Sequence, residues 1–404
     1  MEQLRRFIQN NSKQLTSDRE LEIRFELRSK EHFELIKKSL GPDAIRSDIL
    51  DFSLDSYKKR TVNDDLPIFL KKERLDFIKV YRLGTRASLG SEIVMSGFPE
   101  GVIFRKRNTR NKERYSKKFD DWTIDLTKVI DDGCCSYELE FELNNDSSGK
   151  DIFRSLVELF YKYYPIVLLD DLSKDNFRPN MPHTLERKDL QTLTKGNYLV
   201  TEKSNGERKF CLTTSFGAVL FSRMLEWEHH PLQISSGCLL DCELISGKLL
   251  VFDILFHKFR NVQMLPFSQR LEILQGIGNI ELKTMIPMKD IKKLSKCEEG
   301  IIFTNVDGKY SDTVFKWKRV DTIDVLYRND GNVYARSGKT LVVVPDVKMS
   351  LDKKYDDKIV EIYYESGEWK LMGIRDDKLM PNSILTVQSV LKTIKDPISF
   401  ESLK

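Results

Sequence analysis

The sequence predicts an α+β protein of more than one domain, on three observations. Near the start and again around residue 140, glutamates alternate with apolar residues at a period of two, with a cation-rich stretch between them. From about residue 170 to 325, strand and helix patterns mix. From LYRNDG onward, short strands alternate with Gly and Asp turns, and a helical pattern closes the chain. At 404 residues and 40% hydrophobic content the chain can bury two or three cores. Its 66 Lys and Arg against 62 Asp and Glu give a net charge of +4, so any nucleic-acid groove must come from local clustering. Six cysteines, including the adjacent Cys134 and Cys135, show no CxxC or metal spacing, and His229 and His230 lack metal-spaced companions; cytosolic thiols are implied. No apolar run is long enough to cross a bilayer, and MEQLRRFIQNNSKQ reads as a polar amphipathic start rather than a signal peptide.

In RELEIRFEL, Glu20, Glu22, Arg24 and Glu26 share one strand face while Leu21, Ile23, Phe25 and Leu27 share the other. SYELEFEL repeats the device with Glu138, Glu140 and Glu142. Two inward glutamate faces cannot sit on an apolar core and need metal, counter-charge or water, although either strand alone also fits a solvated edge. Between them, VIFRKRNTRNKERYS places Arg110, Lys112, Arg114 and Ser116 on one face, and DWTIDLTKVI places Asp125 and Thr127 on one face and Lys128 on the other. A basic strand alone is also a solvated face or a contact for RNA phosphates. Glutamates holding a divalent metal opposite such cations across a barrel make a site for a triphosphate, because metal and cations share the anion's charge.

After the NNDSSGK loop, DIFRSLVELFYKYY has helical periodicity, and VLLDDLSKDNFRPNMPHT reads as an irregular connector. The first domain is expected to end near residue 165, the second near 325. FSQRLEILQGI, after Pro266, is the clearest helix of the middle part. The strands KTLVVVPDV, KIVEIYYES and EWKLMGIR suggest a small oligonucleotide-binding-type barrel, closed by the helix of PNSILTVQSVLKTIKD.

The chemistry concentrates in KSNGER. Lys203 has the position of a nucleophile whose amine must be uncharged to attack a phosphate, Gly206 permits a tight turn, and Arg208 offers a fixed cationic fork. Alone, this spacing also suits a solvated hairpin. It is followed by LLDCELI with Asp241 and Glu243 on one face, GKLLVFDILF with Phe252 and Asp253, EGIIF with Glu299 before a strand, VFKWK with Lys316 and Lys318, and WKLMGIRDDKLMPN with Arg375, Asp376, Asp377 and Lys378. Phe252 also reads as a core aromatic, Glu299 as a polar strand start, and Arg223 in LFSR as a surface arginine.

In order and spacing these segments resemble the nucleotidyl-transfer motifs of the superfamily of mRNA capping guanylyltransferases, ATP-dependent DNA ligases and RNA ligases. Two departures stand out: Asn205 where the pattern has Asp, and Cys242 where it has Gly. The first third is similar to the triphosphate tunnel metalloenzymes, specifically RNA triphosphatases of fungi and large DNA viruses. The joint arrangement resembles capping enzymes of poxviruses, asfarviruses, giant viruses, baculoviruses and yeast cytoplasmic linear plasmids.

The resemblance implies an N-terminal β-tunnel (1–165), a central nucleotidyltransferase domain (166–325) and a C-terminal OB-fold (326–404). It implies Mg²⁺ or Mn²⁺ on Glu20, Glu22, Glu138 and Glu140, triphosphate on Lys112, Arg114 and Asp125, and catalysis by Lys203, Arg208, Lys316, Lys318, Arg375 and Lys378. GTP as substrate would meet Glu202, Gly206, Arg223, Glu243, Phe252 and Glu299. RNA 5′ ends are the expected partner, with a separate cap methyltransferase or viral RNA polymerase, no membrane, and a cytoplasmic site of viral or plasmid transcription. Two other readings stay open: an ATP-dependent polynucleotide ligase, and a non-catalytic viral transcription-complex subunit that has kept the fold.

Overall fold

The computed structural model describes residues 1–80, 85–98, 109–131, 133–145, 151–172, 179–376 and 378–404. Asp377, the start of the cation-rich stretch (102–108), most of the NNDSSGK loop (146–150) and connector residues 173–178 lie outside the described residues. The chain divides into two compact units: Met1–Phe177 with Thr214–Pro231, and Arg178–Thr213 with Leu232–Lys404.

In the first unit eight strands close into a barrel: β1 (Arg19–Glu26), β2 (Ile45–Leu54), β3 (Tyr57–Val62), β4 (Ile68–Val80), β5 (Thr85–Met95), β6 (Thr109–Lys118), β7 (Trp122–Asp131) and β8 (Cys134–Leu143). Their order is β1-β5-β4-β3-β2-β6-β7-β8, and β8 closes antiparallel on β1. The period-two pattern sends the apolar residues outward. Leu21, Ile23, Phe25, Ile124, Leu126, Leu139 and Phe141 are all fully buried, on the face away from the lumen.

Amphipathic helices cover that face: α1 (Glu2–Asn11), α2 (Lys30–Leu40) and α3 (Ile152–Tyr163). Phe25 and Phe141 meet Phe160 of α3 edge to face at 5.6 and 5.0 Å, and Phe33 of α2 lies 5.0 Å from Tyr137 of β8. Ser29 caps α2 by accepting from the His32 amide, and Asp151 caps α3 by accepting from that of Arg154. The core therefore lies outside the barrel, and the lumen is left to the charged residues.

Two local expectations are corrected. Residues Ile166–Leu172, expected as mostly irregular, are a short helix; Pro165 stands just before it, where a missing amide costs no helical bond. Arg223 is not in a strand: the strand Gly217–Phe221 ends before it, and Arg223 is exposed in the turn leading to the paired strand Trp227–His230. This hairpin belongs to the first unit, where Trp227 meets Tyr164 and His32 at ring distances of 5.8 and 5.3 Å.

In the second unit the strand Tyr198–Glu202 lies between Ile286–Pro287 and Gly300–Asn305, and the latter pairs with Phe315–Lys318. The strand Glu207–Thr214 pairs with Leu239–Ile245, which pairs in turn with Lys248–His257. The expected helix after Pro266 spans Phe267–Gln275. Toward the C-terminus a five-stranded antiparallel sheet runs in the order 340–348, 332–337, 322–327, 358–365, 368–374. The helix Ile384–Lys395 packs Val387, Val390 and Leu391 against its buried valines and isoleucines.

Candidate active site

The barrel lumen holds a cavity of about 200 Å³ whose lining is charged or polar throughout, and it brings together Glu20, Glu22, Lys112, Arg114, Glu138 and Glu140. Arg114 pairs with Asp125 at 2.7 Å and Glu140 at 3.2 Å, and Ser116 donates to Asp125 at 2.6 Å. Glu140 also receives Arg24; burial pushes its carboxyl up, but these two guanidinium groups outweigh it and hold the carboxyl below its ordinary range. Lys72 reaches Glu20 at 2.7 Å and also binds Glu92.

Register reassigns the acidic partners. In the β1–β8 ladder Glu22 stands opposite Glu142, Arg24 opposite Glu140, and Glu26 opposite Glu138. Glu142 rather than Glu138 thus joins Glu22, and its carboxyl is pushed up to about 7 by burial and by the charges of Glu20 and Asp125. Among the described residues no three ligand side chains already stand at metal-holding distance of one point. Glu142 nevertheless marks a place short of positive charge.

A basic knot sits elsewhere on the wall. Asp51, 1% exposed, binds Arg60 at 2.9 Å and Lys112 at 2.9 Å, with Lys58 at 3.9 Å. Burial, then the charge of Arg60, pushes the Lys58 amine down to about 7. Lys58, Arg60, Asp51 and Lys72 were not singled out from sequence. They sit on strands whose alternation is mixed, and only barrel closure brings them to one lumen.

In the second unit, the Lys203 amine donates to Glu299 at 3.0 Å and its backbone amide to Gly300 O at 2.9 Å. Gly300 stands at φ +150°, and a Cβ there would lie 2.1 Å from Trp317 O. Gly206 is required for space rather than for a left-handed turn. A Cβ would lie 2.6 Å from both Glu243 Cγ and Ile245 Cγ1, while its amide donates to Glu243 at 3.3 Å.

Glu243 also accepts from Lys283 at 2.5 Å, a lysine that sequence reading passed over. Phe252 is half-buried with Arg208 and Lys283 beside its ring, at 5.6 and 6.0 Å. Burial, then the charges of Lys318 and Lys203, lowers the Lys316 amine; burial, then Lys203, lowers that of Lys318. Lys318 donates to Thr322 at 2.9 Å. Glu202, at the end of its strand, is exposed.

Arg208 has a partner the sequence did not suggest. Its fork closes on buried Asp241 with bonds of 2.9 and 2.5 Å, Tyr310 donates to the same carboxylate at 2.7 Å, and a third arm of Arg208 donates to Asn180 O. Asp253 is likewise taken by Arg270, at 2.7 and 3.0 Å. Arg375 and Lys378 both bind Asp324, Arg375 at 2.9 Å. Of the nucleotide-site residues expected, Arg223 alone falls in the first unit.

Residues 161–285 match the family described as mRNA capping enzyme, catalytic domain, and residues 298–404 the mRNA capping enzyme, C-terminal domain. The chain is 24% identical to the mRNA-capping enzyme subunit alpha of Schizosaccharomyces pombe, over 57% of this chain and 80% of that protein. It is 30% identical to the mouse mRNA-capping enzyme, over 34% of this chain but only 26% of that protein. A Mimivirus capping enzyme triphosphatase shares 16% identity over 40% of the chain and 96% of its own, with a TM-score of 0.32, a likeness too slight to bear on the barrel's chemistry. Through residues 161–285 and 298–404 the chain belongs to the mRNA capping enzyme family.

Proposed function

We propose that the chain is a bifunctional RNA 5′-capping enzyme: the barrel removes the γ-phosphate of a triphosphate-ended RNA, and the second unit moves GMP from GTP through Lys203 to the resulting diphosphate end. The observation that carries it is the contact of Lys203 with Glu299 at 3.0 Å, with the half-buried Lys316 and Lys318 near enough to feel the Lys203 charge. The division into a triphosphatase (1–165), a transferase (166–325) and an OB-type domain (326–404) belongs to this reading.

In the transferase step the uncharged Lys203 amine attacks the α-phosphorus of GTP. The N–P bond forms, the bond to the β-phosphate oxygen breaks, and pyrophosphate leaves. Glu299, hydrogen-bonded to the amine, is placed to take its proton. Lys316 and Lys318 neutralise charge growing on the α-phosphate, and Phe252 offers its half-buried ring to the purine. In the second step a β-phosphate oxygen of the RNA attacks the same phosphorus and the lysine leaves as amine. Arg375 and Lys378 meet the β- and γ-phosphates in the first step only.

In the barrel, Lys58, Arg60, Lys112 and Arg114 present positive charge to the triphosphate, while Glu20, Glu22 and Glu142 form the acidic end. The raised carboxyl of Glu142 fits a divalent cation there, which those three glutamates would hold. Such an ion would supply charge neutralisation and an activated water. Glu140, locked between Arg24 and Arg114, orients the cationic wall instead.

The test is to incubate the protein with labelled GTP or ATP and Mg²⁺ or Mn²⁺, then denature. Label from GTP should persist as an acid-labile, alkali-stable adduct and vanish in Lys203→Ala. Label from ATP alone would make the chain a ligase, and none from either would make it a non-catalytic relative.

A further inference from the structure

We propose that Asp324 is a positioning residue for nucleotidyl transfer, setting Arg375 and Lys378 side by side to meet the departing phosphates of the nucleotide; this rests on the reading above. Asp324 lies on the central strand Thr322–Tyr327 of the C-terminal sheet with its side chain 8% exposed. One carboxylate oxygen accepts from Arg375 at 2.9 Å, and the other accepts from Lys378 and from Asn382 at 3.1 Å. Arg375 also reaches Glu361 at 3.4 Å, so Asp324 is the anion that the two cations share. Without it, the two like charges would repel, and Lys378 would lose the carboxylate that sets it beside Arg375. With it, one carboxylate sets the spacing of the two cations, which suits two adjacent anionic phosphates.

The same strand reaches the rest of the site. Thr322, two residues earlier, accepts from Lys318 at 2.9 Å, and the charge of Asp324 acts on Lys318 as well. The strand therefore holds three expected catalytic cations within a few residues of chain.

Position and charge can be separated experimentally, because a second set of bonds at Asp324 uses only its backbone. Its amide donates to Asn382 Oδ1 at 3.0 Å and its carbonyl accepts from the Asn382 amide at 2.8 Å. These tie the loop to the sheet whatever the side chain. Asp324→Asn keeps both, keeps the shape and loses the charge.

In the full chain with Mn²⁺, Asp324→Asn is expected to slow adduct formation from GTP on the order of 10²-fold, the scale of a small misplacement of catalytic groups. Transfer of GMP from adduct accumulated by long incubation to diphosphate-ended RNA should change by less than about threefold, because the phosphates that meet Arg375 and Lys378 have left by then. The melting temperature should hold, and Asp324→Glu should restore part of the first step. Equal loss in both steps, or a loss matched by a fall in melting temperature, would make Asp324 merely structural and overturn the proposal, as would unchanged adduct formation. Lys378→Ala is the control: if it too forms adduct at the normal rate, the placement of the cations fails, whereas if it loses adduct while Asp324→Asn does not, only the role of Asp324 fails.

Discussion

Arg208 and Asp241 grip each other from adjacent strands through two bonds, Nε to Oδ1 at 2.9 Å and Nη2 to Oδ2 at 2.5 Å, with the Asp241 side chain wholly buried. Tyr310 donates to the same carboxylate at 2.7 Å. An uncompensated buried guanidinium is costly, so Asp241→Ala is expected to destabilise the protein by about 3–5 kcal/mol. Tyr310→Phe, which removes one hydrogen bond, should cost about 1–3 kcal/mol. Urea midpoints check both. An Asp241→Ala protein as stable as the parent would show that the pair is not closed in solution.

Gly206 gives a sharper test of the nucleotide loop. A methyl at this position would meet Glu243 Cγ and Ile245 Cγ1 at 2.6 Å and Leu244 O at 2.9 Å. The loop must move away from the strand that carries Glu243, and Lys203 lies three residues before it in the same loop. Gly206→Ala is expected to cost about 1–3 kcal/mol and to reduce GMP-adduct formation on the order of 10²-fold. Adduct formation at the parent rate would show that this loop carries no catalytic geometry.

How much of this was legible in the sequence follows from which forces are local. The outward face of β1 was readable because Leu21, Ile23 and Phe25 alternate with Glu20, Glu22 and Arg24, and alternation fixes faces before any tertiary contact exists. The positions of Lys203, Glu299, Lys316 and Lys318 were readable as an ordered series. Register was not: three glutamates at a period of two on β8 are equivalent until β1 pairs with them, and only that pairing sets Glu142 against Glu22. Ion-pair partners were not readable either. Nothing near Arg208 in the chain announces Asp241 and Tyr310, and nothing near Arg375 and Lys378 announces Asp324, because these meetings depend on which strands become neighbours.

Glu142 gives a pH signature. Its carboxyl, ordinarily near 4.5, is raised to about 7 by burial and by Glu20 and Asp125, with Lys72 opposing. The folded form therefore holds a proton that the unfolded chain has released. The stability this contributes is full below about 4.5 and is lost as pH rises to about 7. Lys58, lowered from 10.5 to about 7, acts in a different window: its effect makes stability rise between about 7 and 10.5. Melting temperature measured from pH 4.5 to 7 should fall less steeply in Glu142→Gln than in the parent. Added Mn²⁺ should flatten the parent's slope in that window and raise its melting temperature most near pH 7 and above. Identical slopes in parent and variant would remove Glu142 from the charge-starved end of the lumen.

The strongest test of two sites on one chain is a double dissociation. Glu22 stands opposite Glu142 at the acidic end of the lumen, and Glu140 receives Arg24 and Arg114 at its wall. Glu22→Ala removes a carboxylate expected to hold a divalent cation, and Glu140→Ala leaves two guanidinium groups without their shared anion. Both changes should abolish γ-phosphate release from triphosphate-ended RNA and spare the Lys203 adduct, because the adduct chemistry uses none of these groups. Lys203→Ala should do the reverse. Glu142→Gln should behave as Glu22→Ala does, whereas Glu138→Ala should be milder, since register sets Glu138 opposite Glu26 rather than Glu22. Loss of both activities with either change would mean a single shared site. A protein that forms the adduct yet leaves triphosphate-ended RNA intact with Mg²⁺ and with Mn²⁺ would leave the barrel a charged cavity in need of another ligand.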